Sequence, residues 1–74
     1  MKESNNNLKI LGQNIRNIRK NKGLSIEQLS FECQLSRNYI SDVERGRRNM
    51  SFIKLNKISK ALDVNIKELL DNIF

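Results

Sequence analysis

The chain has no histidine, no proline, no tryptophan and a single cysteine. Cys33 cannot close an internal disulfide alone. With no histidine beside it, one thiol cannot build a zinc site either, so no metal and no cofactor is expected. Disulfides and metals commonly support small domains, and a chain of 74 residues can bury only a small core. A partner subunit is the support that remains. A free thiol outside any disulfide framework fits a reducing cytoplasm. Met1 to Asn7 is polar with no apolar centre, so no signal peptide is expected. No apolar run approaches the ~20 residues of a membrane span, so no membrane partner is expected. There is no glycine-rich phosphate loop, and no small-molecule ligand is evident. Cys33 falls on the inner face of a helical stretch, as a small core residue does, and the carboxylates read as caps and surface charge. An enzyme is therefore not expected. One tyrosine and three phenylalanines offer no evident platform for stacking RNA bases.

What the chain does have is positive charge. Lysine and arginine number 14 against 8 acids, a formal net charge of +6. On a single small domain such a surplus favours a polyanionic partner, although a soluble basic protein without one has the same composition.

The apolar residues recur at helical spacing. Leu8, Leu11, Ile15 and Ile18 share one face, and Gly23 with Leu24 behind it suits a left-handed helix ending. Ser25 with Gln28 has capping-box spacing ahead of Ile26, Leu29 and Cys33. Ser36 precedes Ile40 and Val43 in a stretch that stops at Gly46. Ser51 precedes Phe52, Leu55, Ile58 and Leu62. Asn65 with Glu68 opens a last apolar stripe of Ile66, Leu69, Leu70 and Ile73. No segment alternates as a strand does. These patterns predict an all-α domain over 8–74, with helices at about 8–22, 26–33, 37–45, 52–62 and 66–73. Residues 1–7 are expected to form a loose tail.

The stretch from Ser25 to Asn49, SIEQLSFECQLSRNYISDVERGRRN, carries the functional signal. Small Ser30 permits a close helix crossing. Cys33 to Leu35 makes a short turn, with Leu35 turned to the core. Ile40 and Val43 hold the second helix from inside, which leaves Arg37, Asn38 and Ser41 outward and Tyr39 at the flank. A helix that opens with long polar side chains beside Arg45, Arg47 and Arg48 suits a DNA major groove.

At these residues the chain resembles the helix-turn-helix family of phage lambda repressor and Cro, also called the xenobiotic-response-element family. The resemblance runs from about Leu8 to Leu70. It rests on LGQNIRNIRKNKGLS in the first helix, YISDVERG in the recognition helix and SFIKLNKISKALDVNIKELL in the last two. It implies a compact five-helix lambda-repressor-like domain and double-stranded DNA as partner. The base-contacting positions would be Arg37, Asn38, Tyr39, Ser41 and Arg48. Arg37 suits guanine and Asn38 adenine, each by a bidentate pair. The phosphate contacts would be Ser25, Ser36, Arg45, Arg47 and Asn49. For Tyr39, flank packing without any DNA contact stays open. Arg19 and Glu44 match a family pair that ties the first helix to the end of the third.

Two positions depart from the family pattern. Ile26 stands where a phosphate-touching glutamine is common, and is expected to pack inward. Gln34 stands where glycine usually adopts a left-handed conformation. Leu70, Ile73 and Phe74 form more apolar surface than one small domain needs, which suits a homodimer. The run SRNYISDVERGRRNMSF is most like controller proteins of restriction–modification systems, bacterial or phage-encoded. Repressors of phages or mobile elements share the architecture. So do antitoxin-like interaction modules, which would tolerate apolar residues on the outer face of the third helix.

Overall fold

Serine and asparagine caps divide the chain into helices. The computed structural model describes residues 2–73. It contains α1 (Lys2–Asn21), α2 (Ile26–Cys33), α3 (Arg37–Glu44), α4 (Phe52–Leu62) and α5 (Ile66–Leu69), with no strand among the described residues. Ser25, Ser36 and Ser51 sit in extended backbone, and their hydroxyls accept from the amides of Gln28, Tyr39 and Lys54. At Ser25 the box closes in both directions, because Gln28 Oε1 also accepts from the Ser25 amide at 2.8 Å. At Asn65 only the return arm is made, with Glu68 Oε2 accepting from the Asn65 amide at 3.1 Å.

α1 corrects one expectation. It starts at Lys2, so residues 2–7 continue the helix and are not a loose tail; Met1 lies outside the described residues. The stretch has no apolar signal to mark it, yet it has no proline or glycine to stop it. Once a helix is nucleated, each added residue contributes another backbone hydrogen bond. The other end behaves as the sequence suggests. Gly23 is left-handed at φ 74°, and the amides of Gly23 and Leu24 donate back to Lys20 and Arg19.

α5 is shorter than expected. It ends at Leu69 and gives way to turns through Ile73. The Asn14 side-chain amide, on α1, donates to the carbonyls of Leu69 at 2.9 Å and Asp71 at 2.8 Å. A continuing helix would use the Leu69 carbonyl for the Ile73 amide. That amide turns instead to Leu70 at 3.1 Å. Asn14 therefore fastens the end of α5 to α1, while Asn72, left-handed at φ 68°, turns the chain out of the helix.

The core is Leu11, Ile15, Leu29, Cys33, Ile40, Val43, Leu55, Ile58, Leu62 and Leu69, with all five helices contributing. Phe52 leaves its expected row and is 68% exposed. Helical side chains lean toward the N-terminus, so a residue at the first position projects past the end of the helix.

α1 and α3 approach each other closely at Gly12. A Cβ on Gly12 would stand 2.3 Å from the Val43 carbonyl oxygen and 2.7 Å from that of Glu44. Nothing larger than glycine fits without moving one helix. Beside this contact, Arg19 Nε donates to Glu44 Oε2 at 2.6 Å and Nη2 to Oε1 at 3.0 Å, while Nη1 donates to the Leu24 carbonyl at 2.8 Å. Both side chains are buried. One arginine thus joins α1, the end of α3 and the loop that leads to α2.

Candidate nucleic-acid interface

The turn between α2 and α3 sets the direction of α3. Gln34 closes α2 in the left-handed region, at φ 60° and ψ 37°, and its amide bonds the Ser30 carbonyl. Leu35 donates to the same carbonyl at 3.1 Å and packs half-buried on the core. Ser30 is buried, with its hydroxyl turned back onto the Glu27 carbonyl at 2.8 Å. A left-handed non-glycine residue costs about 1–2 kcal/mol, and the turn carries that strain beside the candidate site. Ile40 and Val43 are 0% and 2% exposed, so the inner face of α3 is fixed and its outer face is left to solvent.

Two groups of side chains occupy that outer side. In the first, Arg37, Asn38 and Ser41 border a shallow depression together with Ser25, Ile26 and Arg16. Arg37 and Asn38 are exposed and Ser41 half-buried. Ser25 and Ser36 lie at the amino ends of α2 and α3, where free amides and the helix dipole favour an anion. Ile26 packs partly on the core while also edging this depression. Nothing in the sequence marks Arg16 for this site. It belongs to α1, and only the folded chain sets it beside α3.

The second group centres on Tyr39. Its ring is half-buried, with the Arg48 guanidinium carbon 5.3 Å and the Lys54 Nζ 4.8 Å from the ring centroid. Contacts of this length between a cation and a ring contribute about 0.5–1 kcal/mol at exposed sites. Burial pushes the Tyr39 phenol above its ordinary range, with Arg48 opposing the shift. The hydroxyl therefore stays protonated at neutral pH and can donate. Arg48 Nε also lies 3.5 Å from Asp42 Oδ2. Asp42 lies one helical turn after Tyr39, but the sequence gives no sign that Arg48 and Lys54 converge there; only the fold brings them to the ring.

Arg45, Arg47 and Asn49 are exposed around the bend at Gly46, which is left-handed at φ 76°. They follow the end of α3 on the same stretch as Arg48. Leu70 and Ile73 are half-buried and partly occupied by the protein's own core; Phe74 lies outside the described residues. The large apolar side chains most open to solvent are instead Phe31, Phe52 and Ile53, at 82%, 68% and 69%. Burial pushes the Cys33 thiol up as well, which suits a core residue and not a nucleophile. No helix among the described residues is long and apolar enough to cross a membrane, and no group of His, Cys, Asp and Glu among them could hold a metal ion.

Two helices at a short turn, with a polar outer face on the second and a basic loop after it, define a helix-turn-helix protein. That family matches residues 15–69. Within it the chain belongs to the control proteins of restriction–modification systems. It is 56% identical over 68 residues to control protein C.BamHI of Bacillus amyloliquefaciens, a match spanning 89% of this chain and 84% of that one. The structure is similar to the restriction–modification controller protein C.AhdI from Aeromonas hydrophila, with a TM-score of 0.82 and 45% identity over 84% of this chain and 94% of that one. It is also similar to the controller protein C.Esp1396I, solved as a tetramer in complex with its natural 35-base-pair operator. There the TM-score is 0.75 and the identity 36%, covering 86% of this chain and 95% of that one.

Proposed function

We propose that this protein is a sequence-specific transcriptional regulator that binds operator DNA as a homodimer and controls a restriction–modification system. The observation that carries the reading is the outer side of α3. Arg37 and Asn38 stand exposed at its first turn, and Tyr39 with Arg48 stands beside them. An adaptor that had lost DNA binding would have no need of this arrangement.

In this reading Arg37, Asn38, Tyr39, Ser41 and Arg48 face base edges, and Ser25, Ser36, Arg45, Arg47 and Asn49 hold phosphates. The protein performs no chemical reaction. It acts by occupancy at DNA in the bacterial cytoplasm, and its concentration is the signal. A homodimer places two α3 helices about 34 Å apart, one turn of DNA, so the operator is a pseudo-palindrome. The dimer contact draws on the part of Leu70 and Ile73 not used by the core, and on Phe74, which follows them in the sequence. Phe52 and Ile53 provide a second apolar surface, and aspartate at Ile53 or at Leu70 separates the two in a sedimentation measurement.

Selection of bound duplexes from a random pool tests the whole reading. A spaced inverted repeat is the expected product; no enrichment would favour a protein-interaction module. With ~6–10 phosphate contacts, affinity should fall about 10³–10⁵-fold between 50 and 200 mM salt. Arg37→Ala should relax preference at one base pair of each half-site, while Arg47→Ala should weaken all sequences alike. An equal loss on operator and random DNA for Arg37→Ala would remove its base-reading role.

A further inference from the structure

Asp42 is an acid placed on the side of α3 that faces the DNA in the reading above, and this inference rests on that reading. Its side chain is 31% exposed and that of Arg48 is 53% exposed. The closest contact between them runs through Arg48 Nε, whereas the flat fork of an arginine grips guanine or phosphate with its terminal nitrogens as well. The Tyr39 ring lies under the same guanidinium. The main chain adds a further tie, since the Arg47 amide donates to the Asp42 carbonyl at 2.9 Å. Asp42 therefore holds the basic loop through its backbone and aims its arginine through its carboxylate.

A carboxylate here repels every phosphate backbone, whatever the sequence. In return, an arginine already ordered loses less freedom when it meets a base edge. The first effect weakens binding to all DNA, and the second strengthens binding only where the base suits Arg48. We infer that Asp42 is a specificity-determining positioning residue: it acts through Arg48 and exchanges general affinity for discrimination between sequences.

The test compares Asp42→Asn, Arg48→Ala and the double variant with the unchanged protein, on the duplex selected from the random pool and on a scrambled duplex of equal length. Asparagine keeps the size and the backbone carbonyl but removes the charge. Asp42→Asn should bind scrambled DNA more tightly, and its operator-to-scrambled ratio should fall by about fivefold or more, at the lower end of what one bidentate base contact supplies. Adding Asp42→Asn to Arg48→Ala should lower the ratio no further. Thermal melting of each variant separates a change in reading from a change in folding, and Asp42→Ser is a second way to remove the charge if asparagine lowers the melting point. Equal strengthening on both duplexes would leave Asp42 as a simple repulsive charge and overturn the inference. So would losses of ratio that multiply independently in the double variant. Failure of the unchanged protein to prefer any duplex would instead overturn the DNA-binding reading itself, and this inference with it.

Discussion

Two arginine–carboxylate pairs meet on α3, and they differ in almost everything except chemistry. Arg19 and Glu44 are buried and joined by two hydrogen bonds, with a third from Arg19 to the main chain. Arg48 and Asp42 are partly solvated and approach only to 3.5 Å. The acids lie two positions apart on one helix, hence on nearly opposite faces. Removing one partner of a buried pair leaves an uncompensated charge and costs about 3–5 kcal/mol. An exposed pair contributes about 0–1 kcal/mol. The inner pair therefore belongs to folding. The outer pair is weak enough to be rearranged by a ligand, so its importance lies in where it points the arginine.

The comparison breaks most readily at Glu44. Glu44→Ala should lose about 3–5 kcal/mol, a large part of the ~4–11 kcal/mol available to a domain of this size, and urea titration at 25 °C would register it. Replacing both partners, Arg19→Met with Glu44→Leu, should recover much of that loss, because apolar residues of similar volume leave no charge stranded. No recovery would mean that the bond from Arg19 to the Leu24 carbonyl matters more than the pair. Next in size is Gly12→Ala. Its Cβ meets two backbone carbonyls that cannot rotate away, and overpacking of this kind costs about 1–3 kcal/mol. A neutral result by the same titration would show that α1 can slide on α3.

Asp42→Ala should change stability by less than ~1 kcal/mol, in contrast to its effect on sequence discrimination. A loss as large as that of Glu44→Ala would abolish the distinction between the two pairs. Smallest is Gln34→Gly, which relieves a left-handed side chain but loosens the unfolded chain, for a net gain under ~1 kcal/mol. A measured loss would mean that the Gln34 side chain supports the turn. Cys33 supplies a common readout for the series. Buried and with its thiol pushed up, it should be alkylated at pH 8 only as the chain opens, so the labelling rates should rank the variants as the titrations do.

The sequence made the caps and the core legible, because each depends on neighbours a few residues away. Ser25, Ser36 and Ser51 mark three helix starts through bonds to the third residue on, and Gly23 marks one end; the left-handed ending at Gln34 is expected only from the family resemblance. The apolar rows gave Ile15, Leu29, Ile40, Ile58 and Leu69 their places inside. What was hidden depended on distant contacts. The end of α5 at Leu69 is shared between Asn72, left-handed at φ 68°, and Asn14, which reaches the Leu69 carbonyl from α1. Nothing local says why Gly12 interrupts a helix, at about 1 kcal/mol against alanine, until Val43 and Glu44 arrive over it. In the candidate site, Arg37 and Asn38 follow from helix phase, whereas the neighbours of Tyr39 come from a loop and from α4. The start of α1 was missed for another reason. Polar residues without a breaker are compatible with a helix but give no sign of one.

The contact at Gly12 has a further consequence. α3 is seated backbone to backbone on α1, and the Arg19 clamp lies beside that seat, so rolling or tilting α3 would disturb both contacts. In the proposed homodimer on operator DNA, mismatch between the two copies and the duplex would then be taken up by the duplex, or by the joint between the copies. Sequence steps that kink or twist easily would then raise affinity at positions no side chain touches. On the proposed reading, a stiffly held α3 would make the mechanical compliance of the operator part of its message.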